Sequence, residues 1–294
     1  MTPVLAFDLG GSKILAALVA GPAVLARAET PTDRHAAPGD WIAAMVRLAA
    51  PWAGRWAGLG VTLTGLVRDG CWSALNPATL PVPPGFPLAA RLRDAFGRVP
   101  VMANDAQAAA WGEHVHGAGQ GGDLVFLTVS TGIGGGVVTG GRLLVGQGGL
   151  AGSFGQLTPL AEDGPRLEDI AAGLWIGGQA GAAGLPPDPR AAFAAAAGGD
   201  PSASAILDLS AARVARLCRN LQMAFDPPRI VIGGGIGLAP GYLGRITAAL
   251  GDLAPPLRPT LVPAALGRDA GAIGIAALAA QSTTIRTQQR ERLP

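Results

Sequence analysis

The sequence predicts an α/β protein of two lobes. Three observations carry that expectation: a strand, glycine turn and strand at the N-terminus, the same succession again near the middle of the chain, and a length and apolar content beyond one modest core. With 294 residues, 49% hydrophobic and 14% charged, the chain can bury one large core or two smaller ones, and domain sizes favour two.

The elements follow in order. Val4-Leu5-Ala6-Phe7 is a short apolar run ending at Asp8 and the Gly10-Gly11 turn, and residues 14–20 resume it, which predicts a β-hairpin. Gly21-Pro22 closes a turn before a third strand at 23–28. Apolar residues at 41–48 fall at helical spacing, with Asp40 as the expected N-cap. A buried strand at 58–63, a proline-rich surface loop at 81–87, a helix at 88–96 and a strand at 99–102 then deliver Asn104-Asp105.

The glycine-rich run 117–122 marks the expected lobe boundary, giving lobes 1–117 and 118–280. A strand at 124–129 runs into a turn at 130–136 and on to Val137-Val138, repeating the N-terminal pattern, so two related lobes facing a cleft are expected. Residues 229–237 form a third strand-to-glycine turn. Residues 270–280 read as an apolar helix expected to pack on the N-terminal lobe, and 281–294 as a polar, disordered tail.

Composition excludes several classes of function. Apolar runs such as 191–197 are alanine-dominated and broken by Gly, Pro or Arg before a bilayer is crossed. The first residues lack a basic start and reach Asp8 at once, unlike a secretory signal, so a cytoplasmic location is expected. Cys71 and Cys218 are isolated and offer neither a disulfide framework nor a metal-ligand spacing. The formal charge of +2 comes from scattered arginines, so neither nucleic acid nor membrane is an expected partner.

The chemistry is carried by the turns and one acid. Backbone N–H groups converge on a phosphate oxygen where no Cβ intervenes and positive φ is allowed, and Gly10-Gly11 and Gly132-Gly134 meet that requirement. A glycine pair also serves as a plain tight turn. Lys13, the only lysine of the chain, stands beside the first turn; a preference for arginine codons accounts for the missing lysines equally well. Neither turn is a Walker A loop, because Lys13 is followed by Ile14, and residues 233–237 lack the βαβ unit of a dinucleotide site. Asp105 stands where an apolar run gives way to a helix. It suits both a helix N-terminus and a base that takes the proton of an attacking hydroxyl, one of the few groups phosphoryl transfer asks of a protein.

Asp8-Leu9-Gly10-Gly11-Ser12-Lys13, residues 104–113, residues 130–136 and Ile232-Gly233-Gly234-Gly235 together resemble the motifs of the ROK family of sugar kinases, over nearly the whole chain. Within that family, residues 64–70, Ala74-Leu75-Asn76-Pro77, 148–152 and 237–243 are similar to bacterial N-acetylmannosamine kinases. The resemblance implies an actin-like ATPase (ribonuclease H-like) fold with two lobes around a nucleotide cleft. It also implies ATP and Mg²⁺ as cofactors, a small-molecule sugar as substrate phosphorylated at its 6-hydroxyl in amino-sugar and sialic acid catabolism, and a homodimer.

Residue by residue, the resemblance makes Asp105 the general base. It makes Gly65, Asn76, Asn104, Asp105, Ser153, Gln156 and Glu168 sugar-binding. Asp8, Gly10, Gly11, Ser12, Lys13, Thr131, Gly132, Gly134, Gly234 and Gly235 become nucleotide-binding, with Asp8 acting on Mg²⁺ through water. A tight turn at Gly65, an Asn-Pro turn at Asn76 and a first-turn helix acid at Glu168 are the plainer readings.

One region departs from the family. Where relatives carry a zinc-binding histidine and a cysteine cluster, this chain has Ser153-Phe154-Gly155-Gln156, no cysteine between Gln156 and Glu168 and a short segment at 157–167, so no structural zinc is expected. Gln156 retains a donor and an acceptor for a sugar. A hexokinase of the same family acting on glucose or another hexose is the enzymatic alternative. A non-catalytic sugar-binding or regulatory protein is the alternative of another class, and the hairpin starting at Val4 is expected to leave no room for a helix-turn-helix.

Overall fold

The computed structural model describes residues 2–76, 79–158 and 164–291, with side chains to residue 282. Pro77, residues 159–163 and residues 292–294 of the segments named above lie outside the described residues. In chain order the elements are β1 (Val4–Leu9), β2 (Lys13–Ala20), β3 (Ala23–Pro31), α1 (Pro38–Ala49), β4 (Gly58–Leu63), β5 (Leu66–Arg68), β6 (Cys71–Ser73), α2 (Leu88–Phe96), β7 (Val101–Asn104) and α3 (Asp105–His116). They continue with β8 (Leu124–Val129), β9 (Ile133–Thr139), β10 (Arg142–Leu144), α4 (Leu167–Ala171), α5 (Gly173–Ala182), α6 (Pro189–Ala197), α7 (Pro201–Phe225), β11 (Ile230–Gly233), α8 (Gly234–Gly237), α9 (Tyr242–Ala249), β12 (Leu261–Pro263) and α10 (Ala270–Glu291).

The chain divides into two compact units. The first comprises Met1–His116, Val145–Ala151 and the chain from Asp269 onward; the second comprises Gly117–Leu144 and Gly152–Arg268. Beside the expected division 1–117 and 118–280, a short segment after β10 groups with the first unit, as does the terminal helix expected to pack there. Among the described residues no helix is long and apolar enough to cross a membrane.

In the first unit β3-β2-β1-β4-β7 form one sheet, antiparallel across β3, β2 and β1 and parallel from β1 through β4 to β7. Leu5, Phe7 and Leu9 alternate onto one face and pack with Trp41, Met45, Trp72, Leu88 and Leu92. Burying side chains of this size stabilises by roughly 1.5–3 kcal/mol each. The opposite face meets α10, which also crosses α3 at backbone distance: a Cβ on Gly274 would fall 1.7 Å from the Ala108 carbonyl oxygen.

Two local expectations change. Asp40 is not the N-cap of α1 but sits three residues beyond Ala37, where its Oδ2 accepts the Ala37 N–H at 3.1 Å. The expected disordered tail is helical backbone as far as Glu291, because no Gly or Pro interrupts residues 281–291 to stop α10.

In the second unit β10-β9-β8-β11-β12 repeat the same logic, antiparallel through the first three strands and parallel from β8 to β11 and β12. Val125, Leu127, Val129, Ile230 and Ile232 pack against Leu207, Val214, Leu217 and Leu221 of α7. That helix starts where sequence chemistry dictates: Asp200 accepts the Ala203 N–H at 2.9 Å and Pro201 occupies the first helical position. The glycine turn is shorter than expected, since β9 already includes Gly134, paired with Thr128, leaving residues 130–132 as the turn.

Candidate active site

Asp8 is the penultimate residue of β1, and the strand's parallel register with β4 sets it opposite Thr62. The Thr62 hydroxyl donates to Asp8 Oδ1 at 2.9 Å. Burial pushes the Asp8 carboxyl above the usual carboxylate range, while the Thr62 bond and the Lys13 charge oppose it.

β7 then delivers Asn104 and Asp105 at the start of α3. Asn104 Oδ1 accepts the backbone N–H groups of Ala106 and Gln107 at 3.0 and 3.3 Å, and its Nδ2 donates to the Gly65 carbonyl at 3.2 Å. One side chain therefore caps the helix and ties it to the loop after β4. Gly65 has φ of +108°, and a Cβ there would fall 2.5 Å from the Ser73 carbonyl oxygen, so only glycine fits. Asp105 Oδ1 accepts the Ala106 N–H at 2.8 Å, and Thr64 Oγ1 lies 3.5 Å from Oδ2. Burial, and after it the Asp8 charge, push the Asp105 carboxyl up to about 6. Asn76 is exposed, with its carbonyl accepting the Thr79 N–H at 3.0 Å.

The first glycine turn is held by its carbonyls. Thr32 Oγ1 donates to the Gly10 carbonyl at 2.8 Å, Arg34 Nε to that of Gly11 at 2.7 Å, and the Thr32 N–H to that of Ser12 at 3.0 Å. Positive φ is not what selects glycine here: of the predicted nucleotide-binding glycines, only Gly234 adopts it, at +85°. Space selects Gly11, whose Cβ would meet Thr79 Cγ2 at 2.7 Å. Lys13 Nζ pairs with Glu29 at 2.8 Å, both half exposed, a solvated pair of small energetic weight.

In the second unit Thr131 and Gly235 share a cavity of about 480 Å³ with Ser130, Gly173, Leu174, Gly177, Asp188 and Arg190. Gly234 lies beside it, where a Cβ would fall 2.3 Å from the Val129 carbonyl oxygen. Gly132 turns out to make room for a carboxylate, its Cβ position lying 3.0 Å from Glu168 Oε2. Gln156 Nε2 donates to Glu168 Oε1 at 2.6 Å, and Arg166 Nη1 donates to Gln156 Oε1 at 3.1 Å. Ser153 precedes the 3₁₀ turn Phe154–Gln156, and its carbonyl accepts the Gln156 N–H at 3.0 Å. Among the described residues no group of three or more His, Cys, Asp and Glu is arranged to hold a metal ion.

The structure thus gathers Asp8, Gly65, Asn104 and Asp105 in the first unit, and in the second brings Thr131 to Gly235 and Gln156 to Glu168. Sequence reasoning missed Thr62, Thr64, Asp188, Arg190 and Arg166. The legible signals were a threonine in an otherwise apolar strand, and the Asp188-Pro189 helix start, where Asp188 accepts the Arg190 N–H at 2.9 Å.

Two units, each with a five-stranded sheet of the same order and direction and each opened by a strand–turn–strand, make this an actin-like ATPase fold. The ROK family profile matches residues 4–282, and the chain belongs to the ROK family. It is 48% identical over 280 residues to the bifunctional enzyme NanE/NanK of Brucella melitensis, covering 95% of this chain and 54% of that protein; the chain spans about half the length of such relatives. It is 38% identical over 284 residues to the N-acetylmannosamine kinase of Escherichia coli strain 55989, covering 94% of this chain and 97% of that one. A crystal structure of a ROK family glucokinase from Streptomyces griseus, in complex with glucose and AMPPNP, superposes with a TM-score of 0.81 at 26% identity, over 95% of this chain and 99% of the other.

Proposed function

We propose that this chain transfers the γ-phosphoryl group of ATP to the 6-hydroxyl of N-acetylmannosamine, with Asp105 as general base. One observation carries the reading: a carboxyl raised to about 6 at the start of α3, ionised at neutral pH yet basic enough to draw a proton from an attacking hydroxyl. A base poised near the working pH combines the right protonation state with useful proton affinity. Structural acids on exposed helix starts do not need that property.

The Asp8 charge raises the cost of ionising Asp105, and a hard divalent cation would relieve it. Mg²⁺ held beside Asp8 through water would suit this carboxylate pair. Asp8 is the residue that would hold it, kept in place by Thr62. Bound there, Mg²⁺ supplies charge neutralisation for the transferring phosphoryl group. The glycine-lined cavity at Thr131 and Gly235 is where the nucleotide would bind, and Gly65, Asn76, Asn104, Ser153, Gln156 and Glu168 are the proposed sugar residues.

The E. coli relative, matched over nearly its whole length, supports N-acetylmannosamine as the substrate, and the AMPPNP in the Streptomyces glucokinase supports ATP as the donor. The reading extends to a cytoplasmic homodimer in amino-sugar catabolism. It is tested by a coupled ADP-release assay with ATP and Mg²⁺ across N-acetylmannosamine, N-acetylglucosamine, glucose, mannose and fructose. Preference for N-acetylmannosamine is expected. Preference for glucose would make the chain a hexokinase, and no turnover with any sugar would refute the kinase reading.

A further inference from the structure

Glu168 lies in the first turn of α4 with a side chain only 19% exposed, and its two oxygens have unlike surroundings. Oε1 accepts Gln156 Nε2 at 2.6 Å and lies 3.2 Å from Arg166 Nη1. Oε2 lies against Gly132 and Gly155, whose Cβ positions would fall 3.0 and 3.1 Å from it. The carboxylate is therefore gripped through one oxygen and given room, by two missing side chains, at the other.

Arg166 is itself clamped. Its Nε and Nη2 donate to the two carboxylate oxygens of Asp169 at 2.8 Å each, and its Nη1 donates to Gln156 Oε1 at 3.1 Å. The guanidinium thus decides which way the Gln156 amide points. Were the amide reversed, its NH₂ would face the guanidinium and its oxygen the Glu168 carboxylate, and both hydrogen bonds would be lost to donor–donor and acceptor–acceptor contact.

We propose that Arg166 is a positioning residue of the sugar site: it orients the Gln156 amide and, together with that amide, holds Glu168 Oε1 so that Oε2 is aimed at a hydroxyl of the substrate. The inference rests on the reading of Glu168 as a sugar contact. It requires the planar fork and not merely a positive charge, because a lysine ammonium cannot hold both oxygens of Asp169 and the Gln156 carbonyl in one fixed geometry. Asp169 acts one step further out, by locking the fork.

The test is steady-state kinetics with N-acetylmannosamine and ATP on the wild-type chain, Arg166→Ala, Arg166→Lys, Asp169→Asn, Gln156→Ala and the double variant Arg166→Ala with Gln156→Ala, each with its thermal midpoint. Both Arg166 variants are expected to raise KM for N-acetylmannosamine about tenfold, the scale of one hydrogen bond to a charged group, with KM for ATP and the thermal midpoint unchanged. Asp169→Asn raises the same KM by a smaller factor. The double variant raises it further than Gln156→Ala alone, because Arg166 Nη1 also lies 3.2 Å from Glu168 Oε1 and keeps holding that oxygen when the amide is gone.

Restoration of the wild-type KM by lysine overturns the role of the fork. An unchanged sugar KM in Arg166→Ala, or a parallel rise of both KM values with a lowered thermal midpoint, overturns positioning; Arg166→Lys keeps the charge and decides the matter if the alanine variant unfolds. Lack of any turnover by the wild-type chain would instead overturn the kinase reading and the role of Arg166 with it, a result distinct from an active wild type with an indifferent Arg166.

Discussion

Replacing Asp105 by Asn separates catalysis from stability. The variant keeps the shape and the Oδ1 acceptor that receives the Ala106 N–H at 2.8 Å, but it cannot take a proton, so turnover falls by about 10²–10⁴. Stability moves the other way. The folded carboxyl titrates at about 6 against an ordinary 3.8, so the folded state holds the proton more tightly than the unfolded chain does. The protonated form's contribution is complete below about 3.8 and is lost as pH rises through about 6. A shift of about two units, at 1.36 kcal/mol each, makes the ionised carboxylate cost about 3 kcal/mol at pH 8. Asparagine carries no such cost. Urea unfolding without nucleotide or Mg²⁺ is expected to give wild type and variant nearly equal stability at pH 4 and a variant more stable by up to about 3 kcal/mol at pH 8. A variant no more stable than wild type at pH 8, or a gap independent of pH, would refute the assignment of this buried charge, and retained turnover would refute its role as base.

Further outcomes follow from the same geometry. In the wild type the acid limb of kcat/KM is expected to fall away below about pH 6, and a limb near 4 would contradict the raised Asp105 carboxyl. Thr62→Val deletes the 2.9 Å bond to Asp8 and raises that carboxyl further, so a Mg²⁺ titration should show a requirement increased about tenfold. Gly274→Ala sets a Cβ 1.7 Å from the Ala108 carbonyl oxygen and should lower unfolding stability by about 3 kcal/mol or more, read from the denaturation midpoint. Metal analysis of the purified chain is expected to find no stoichiometric zinc; one zinc per chain would overturn the reading of residues 153–168.

The sequence by itself determined the local framework. The hairpin of β1 and β2, the buried strand β4, helix α2 and the step from β7 into α3 at Asp105 were legible because alternation, glycine turns and a carboxylate at a helix start are short-range signals. Tertiary structure decided what those signals leave open. The glycines at 11 and 132 read as phosphate turns, and only the fold set Thr79 against the first and the Glu168 carboxylate against the second, neighbours distant in sequence. Asn104 read as a sugar ligand from its motif alone, and only the fold showed that its side chain also caps α3 and donates to the Gly65 carbonyl. Residues 281–291 read as a tail from their polar composition, while the α10 backbone continues through them. Above all, a raised carboxyl at Asp105 and the fork of Arg166 on Gln156 depend on burial and on charges brought close by folding. Electrostatic energies depend on distance and local dielectric, neither of which is written in the order of residues.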